Sequence, residues 1–283
     1  MTAGESQGRV RVGCQGWNYE DWVTAQAARE SVFYPRGTRA PSMLDLYARA
    51  FETVEVDSTF YAVPSSSTVE GWHRRTPDGF TLALKLPQII THQLALSRAS
   101  AEVLAEFCER ARLLKEKLAA VLVQLPPQFE ATPENRRALV GFLPLLPKDI
   151  PFHFEFRDAA WFDEPTAELL SRAGAGLALV DGPWVRRERV RRAAELAGGS
   201  SVYVRWMGAR DLTSFDRVVR PQDANLRAWA EVVERASSRG AQVFAYFSNF
   251  YEGHAPASAN KLKRLLGQPA VEPGDLESQP SLF

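Results

Sequence analysis

Thr53-Val-Glu-Val-Asp-Ser-Thr-Phe-Tyr-Ala-Val-Pro64 decides how the rest of this chain is read. Val54 and Val56 alternate with Glu55 and Asp57, a period of two that marks a strand with two unlike faces. The same alternation returns in Leu82-Ala-Leu-Lys85, Phe152-His-Phe-Glu-Phe-Arg157 and Val202-Tyr-Val-Arg205. Each run gathers its polar residues toward its carboxyl end. Strands that deliver carboxylates, a lysine and arginines to one end imply a shared polar pocket there.

Working outward, further strands are expected at residues 9–17, 80–87, 119–125, 176–181 and 241–249, with the fifth at 151–157 and the seventh at 201–208. Helical spacing of apolar residues predicts helices over 42–51, 69–75, 100–117, 164–173, 222–237 and 256–266. Thr132-Pro-Glu-Asn opens another, and 185–197 is a candidate. Eight strands alternating with helices, without a linker, predict an α/β fold: one (β/α)8 TIM-type barrel over residues 9–267, with a long aromatic loop (17–41) after strand one. Residues 1–8 and 268–283 are expected to be flexible termini, the latter rich in Pro, Gly, Glu and Ser. An open doubly wound sheet would need a glycine-rich first turn, which Gly13-Cys-Gln-Gly16 and the loop behind it do not match.

The 34 basic and 34 acidic side chains cancel, so no global field steers the protein toward nucleic acid or anionic lipid. Cys14 and Cys108 are too few for a disulfide framework and lack metal-type spacing; Cys14 shares a strand face with Val10 and Val12, as a buried inert thiol would. No apolar run approaches the roughly 18 residues of a membrane span, and residues 1–8 lack a signal-peptide pattern. A cytoplasmic protein with no membrane partner is the expectation.

In a barrel, chemistry sits at the carboxyl ends of the strands. This chain places Gln15, Trp17, Glu55, Asp57, Ser58, Lys85, Gln124, Glu155, Arg157, Asp181, Arg205, Tyr246, Ser248 and Asn249 there. Glu55, Asp57 and Glu155 are expected to pair with Lys85, Arg157 and Arg205, because a buried charge without a partner is costly. Such pairs either plug the barrel or face a substrate. On the second reading Glu55, Asp57, Lys85 and Glu155 are the catalytic candidates, with Lys85 a base or electrostatic stabiliser if burial lowers its pKa. Arg157 and Arg205 offer forked donors for a carboxylate or phosphate. Gln15, Trp17, Tyr61, His92, Gln124, Asp181, Tyr246, Asn249, Tyr251 and His254 complete the substrate-binding set. Gly253 and Pro256 suit a helix start whose free N–H groups could hold an anion. His153 lies deep in strand five as an interior histidine, and His73 is assigned no role.

The pattern points to an enzyme acting by acid/base chemistry on a small anionic, ring-containing metabolite such as a sugar phosphate or nucleotide. Hydrolase, lyase and isomerase chemistry all remain open. A non-catalytic ligand-binding or nucleic-acid-binding barrel is one alternative; nucleic acid is not favoured, the arginine-rich run 186–192 being the only patch for it. A divalent-metal hydrolase built on Glu55, Asp57, Glu155, Asp181 and a loop histidine is another. Lys85 and the arginines compete for those oxygens, so no metal site is assigned and the cofactor is left unknown. A retaining glycosidase would carry its acids after strands four and seven, where Gln124 and Arg205 stand.

Several ordered motifs resemble the domain of unknown function 72 family, also called YecE-like: Val12-Gly-Cys-Gln-Gly-Trp-Asn-Tyr, Phe33-Tyr-Pro, Val54-Glu-Val-Asp-Ser-Thr-Phe-Tyr, Lys85-Leu-Pro with Thr91-His, Gln124-Leu-Pro-Pro, Glu155-Phe-Arg, Tyr203-Val-Arg and Tyr246-Phe-Ser-Asn-Phe-Tyr-Glu-Gly-His-Ala-Pro. The resemblance runs from about residue 11 to 266. It implies a TIM barrel and no particular activity. Where it leads one to expect Asn-Asn-His, this chain has Ser248-Asn249-Phe250, so any contribution of the first Asn and the His is altered here.

Overall fold

Eight parallel strands close into a barrel in sequential order, β1 hydrogen-bonding to β8. They are β1 (Val10–Gln15), β2 (Thr53–Val56), β3 (Thr81–Lys85), β4 (Leu118–Gln124), β5 (Phe152–Glu155), β6 (Ala175–Asp181), β7 (Ser201–Trp206) and β8 (Gln242–Phe247). Around them run α1 (Ala40–Ala50), α2 (Ser66–Arg75), α3 (Ala101–Arg112), α4 (Pro133–Phe142), α5 (Glu164–Arg172), α6 (Arg187–Ala193), α7 (Asp223–Ser238), α8 (Asn249–Glu252), α9 (Ala255–Leu265) and α10 (Pro273–Glu277). This computed structural model describes residues 7–27, 30–196 and 199–277. Among them no helix is long and apolar enough to cross a membrane.

The strand alternation sorts side chains into two cores. One lies between sheet and helices; the other, inside the barrel, includes Ala83, Ala120, Leu122, Ala178, Val180, Tyr203, Phe244 and Tyr246. Small residues on β3, β4 and β6 make room for the large rings of β7 and β8, as close packing requires. Helix starts follow their caps: Ser65, Thr132 and Asp163 each accept the backbone N–H three residues on, and each such cap contributes about 1 kcal/mol.

Most elements fall within a few residues of their expected bounds, and three differences have a specific structural cause. The helix expected over 100–117 ends at Arg112, and a turn through Lys115 (φ +51°) leads into β4. Strand eight stops at Phe247, because Ser248 turns the chain and accepts the Phe250 N–H to start α8. The polar tail, expected to be flexible from residue 268, is anchored at points along its described part: Gln268 donates to the Val10 carbonyl, Asn260 to that of Val271, and Leu276 is buried. The remaining termini, 1–6 and 278–283, lie outside the described residues. The long loop after β1 has a core of its own, with Trp22 fully buried against Phe33, Tyr34 and His254.

Candidate functional site at the barrel mouth

Register sets the site. Gln124 stands opposite Glu155, and Arg205 opposite Val180 on one side and Tyr246 on the other. Arg205 then reaches across the barrel interior. Its Nε and Nη2 donate to the two oxygens of Glu55 at 2.8 and 2.7 Å, and its Nη1 donates to Glu155 Oε2 and, at 3.3 Å, to Gln124. Tyr203 adds a 2.7 Å bond to Glu55 Oε2, and Arg157 Nε donates to Glu155 Oε1 at 3.1 Å. All four glutamate oxygens are therefore engaged. The side chains of Arg205, Glu55 and Glu155 are at most 1% exposed, so the set is a buried network in which two carboxylates face two guanidiniums.

Burial pushes the Glu55 carboxyl above its ordinary range against the pull of Arg205. At Glu155 burial pushes the same way, but Arg205, Arg157 and Lys85 outweigh it and hold the carboxyl low. Burial would discharge Arg205; Glu155 and Glu55 more than offset this and keep it firmly cationic.

Above this floor opens a cleft of about 300 Å³. Its walls are Gln15, Tyr19, Asp57, Tyr61 and Lys85 on the β1–β3 side, and Arg205, Met207, Arg210, Ser248 and Phe250 on the β7–β8 side. Lys85 Nζ lies 3.4 Å from Asp57 Oδ1 and 4.5 Å from the centre of the Phe60 ring. The chain after β2 tightens into a 3-10 turn at residues 57–60, and Thr59 ties that turn to β3 by accepting the Lys85 N–H and donating to the Lys85 carbonyl. This is what sets Asp57 beside Lys85. Arg210 is exposed and makes no ion pair among the described residues. Gly208 puts it at the rim: at φ +63° a Cβ there would meet the Phe250 carbonyl oxygen at 2.1 Å.

His92 stands beside the cleft, its Nδ1 2.8 Å from Thr91 Oγ1 and its ring edge-on to Phe60 at 5.1 Å. Burial, then the fields of Arg157 and Lys85, hold it below the ordinary imidazole range. Its loop is unusual, a wide π-type turn followed by Ala95 and Leu96 at φ +45° and +62°. Left-handed non-glycine residues in succession are strained, and the burial of Leu96 holds them in place.

Four substrate-binding candidates lie elsewhere. Asp181 points outward from β6 into the helix layer, where it accepts from Arg187, Asn225 and Trp229; Ala178 and Val180 occupy the inward positions of that strand. Tyr251 joins that outer cluster through Asn225. Asn249 Oδ1 accepts from Trp22 Nε1 and from the Ala255 N–H, so the expected anion site at the start of α9 is already capped from within. His254, 4% exposed, gives its Nδ1 to the Phe215 carbonyl. Two more are near but not on the cleft: Tyr246 is buried below the network with its hydroxyl on Thr53, and Trp17 packs on Trp72. Tyr19, Met207, Arg210, Ser248 and Phe250 also line the cleft; of these the sequence placed only Ser248 at the strand ends, and none of them was a binding candidate. Met207 and Ser248 were readable as the next inward positions after Arg205 and Tyr246; Arg210 and Phe250 depend on loop conformation. Among the described residues no group of three or more His, Cys, Asp or Glu is arranged to hold a metal.

The sequence profile described as "Protein of unknown function DUF72" matches residues 11–281. The chain belongs to the DUF72 family. Relatives include the UPF0759 protein YunF of Bacillus subtilis, 26% identical over 91% of this chain and 94% of YunF. The UPF0759 protein YecE of Escherichia coli is 30% identical over 58% of this chain and 54% of YecE. Among solved structures, a DUF72 protein from Thermotoga maritima superposes with a TM-score of 0.75 at 25% identity, covering 92% of this chain and all of that one. The DUF72 resemblance of the motifs and the TIM-barrel expectation thus both hold. The two positions where this chain departs from the expected DUF72 motif, Ser248 and Phe250, both line the cleft.

Proposed function

We propose that the cleft binds a small anionic metabolite and that Lys85 and Asp57 move protons on it. One observation carries this reading: Lys85 and Arg210 line the cleft against a single carboxylate, Asp57, while the charge of Arg205 beneath them is spent on Glu55 and Glu155. Glu55 and Glu155 have no free oxygen for a substrate, so the catalytic candidates narrow from four to the Lys85–Asp57 pair. Asp57, its side chain 35% exposed, is open to a substrate proton while Lys85 stabilises negative charge as it develops. Tyr19, Tyr61 and Phe250 supply faces for a ring, and Tyr61, 73% exposed, is free to swing onto one. A cleft of about 300 Å³ sits at the small end of ligand sites, which supports a sugar phosphate over a nucleotide.

Calorimetric titration with inorganic phosphate and a hexose phosphate tests the reading. Lys85→Met is expected to weaken binding about 10-fold or more, the share of one charged contact, while Arg9→Ala, an exposed residue on Glu52 far from the cleft, changes nothing. Equal affinity in wild type and Lys85→Met, or no binding in either, would overturn it. With a bound ester identified, Asp57→Asn is expected to abolish turnover while sparing affinity.

A further inference from the structure

Arg157, just past the end of β5, has features that the buried network does not use. Its side chain is only 8% exposed. One edge is fixed through Nε to Glu155, and its guanidinium carbon stacks 3.8 Å from the centre of the Trp184 ring. Yet its Nη2 is buried with no hydrogen-bond partner among the described residues. A desolvated charged donor left unpaired is expensive, and among the buried unpaired atoms of the described residues this one belongs to a guanidinium beside the cleft's charged groups. Its one acid is shared with Arg205, which already takes both oxygens of Glu55. Across this side of the mouth, Arg157, Arg205 and Arg210 answer only Glu55 and Glu155, and the Lys85–Asp57 pair is neutral as a unit. One positive charge is left over, beside a donor that is buried and unpaired.

The indole seat is specific. A Cβ at Gly182 would come within 2.9 Å of Trp184 Cζ3, so glycine is needed there to let the ring lie over the guanidinium. A guanidinium covered on its face binds through its edge, the geometry that suits a carboxylate or phosphoryl group in its plane. The cleft is within its field: burial apart, Arg157 and Lys85 together depress His92, and Arg205 and Arg210 depress Arg157.

We propose that Arg157 forms a second anion subsite beside the Lys85 cleft, so that the ligand class is a small molecule with an anionic group at each end, such as a phosphorylated carboxylate. This rests on the reading of the cleft given above. Strands β3 and β5 are two apart, roughly 10 Å at the usual strand spacing. Lys85 and Arg157 both act on His92 and on Glu155, and a ligand backbone of two to four carbons would bridge the two subsites.

The test is calorimetric titration with glycerol phosphate, which has one anionic group, and phosphoglycolate, which has two. Wild type is expected to bind phosphoglycolate at least 10-fold tighter. Arg157→Lys keeps the charge facing Glu155 but loses the fork, and is expected to erase that preference while leaving glycerol phosphate within twofold. Trp184→Leu, which unseats the guanidinium without touching Glu155, is expected to do the same and covers the case in which Arg157→Lys fails to fold. No preference in wild type, or an equal loss for both ligands in the variants, would overturn the subsite and leave the Lys85 cleft standing. No binding of either ligand to wild type would remove both readings.

Discussion

Replacing Glu55 by Gln removes one charge from the buried network and almost no volume. Glu55 receives three bonds, two from Arg205 and one from Tyr203. A glutamine offers one acceptor oxygen, and its amide nitrogen becomes a donor facing donors. Arg205, fully buried, is left with Glu155 as its one counter-charge, and that carboxylate is shared with Arg157. Breaking one partner out of a buried pair costs about 3–5 kcal/mol. For a chain of 283 residues the melting entropy is about 0.6 kcal/mol per kelvin, so Glu55→Gln should lower Tm by about 5–8 °C. The measurement is differential scanning calorimetry at pH 7 with Arg9→Ala as control. That residue pairs with Glu52 at 51% and 54% exposure, and its loss should cost under about 1 kcal/mol. A shift below about 2 °C for Glu55→Gln would refute the argument. It would mean that Glu55 is already protonated in the folded protein, in which case glutamine is a near-isosteric replacement.

Other outcomes follow from the same geometry. Burial pulls His153 from 6.5 to about 4, so the unfolded chain binds the extra proton between those values and stability falls on acidification through that window, by about 3 kcal/mol for this group. His153→Gln should flatten the slope of Tm against pH between about 4.5 and 6.5 without abolishing it, since His92 and His254 are shifted in the same direction; an unchanged slope would show that His153 is not the buried neutral group described. Asn249→Ala strands two buried donors, Trp22 Nε1 and the Ala255 N–H, at about 2–5 kcal/mol. It should lower Tm while phosphate affinity stays put, and a loss of affinity without a loss of Tm would return Asn249 to the site. Burial pushes the Cys108 thiol to about 11 and that of Cys14 higher, so Ellman's reagent at pH 8 should find no fast-reacting thiol in the folded protein and two after denaturation.

The barrel was legible because β2, β5 and β7 alternate in polarity, and alternation reports which residues share a face. It failed on β6 for a physical reason. Leu177, Ala178, Leu179 and Val180 are apolar on both sides of the sheet, so nothing in the run shows that Asp181 points outward. Asn249 was misplaced because the stop of β8 depends on Ser248 capping a four-residue helix, and on Trp22 arriving from the loop after β1. Sequence named the charged members of the floor network and Gln124, but neither Tyr203 nor the fact that Arg205 serves two acids at once, which follows only from closing the barrel. The tail looked like solvent-exposed chain by composition. Its anchoring rests on single contacts, such as the amide of Gln268 on the Val10 carbonyl, which composition does not record.

Arg205 binds groups from β2, β4 and β5 while standing on β7. Four strands are thereby cross-braced beneath the cleft by a set that is close to neutral and needs nothing from the loops above. That separates two kinds of residue by how freely they can diverge. A change at a bracing position exposes an unpaired charge and is penalised in every descendant, whatever the ligand. Rim positions such as 248 and 250 can be exchanged one at a time, because the platform under them keeps its shape. The same braced scaffold can therefore carry different loops after β7 and β8 without a change in its strands.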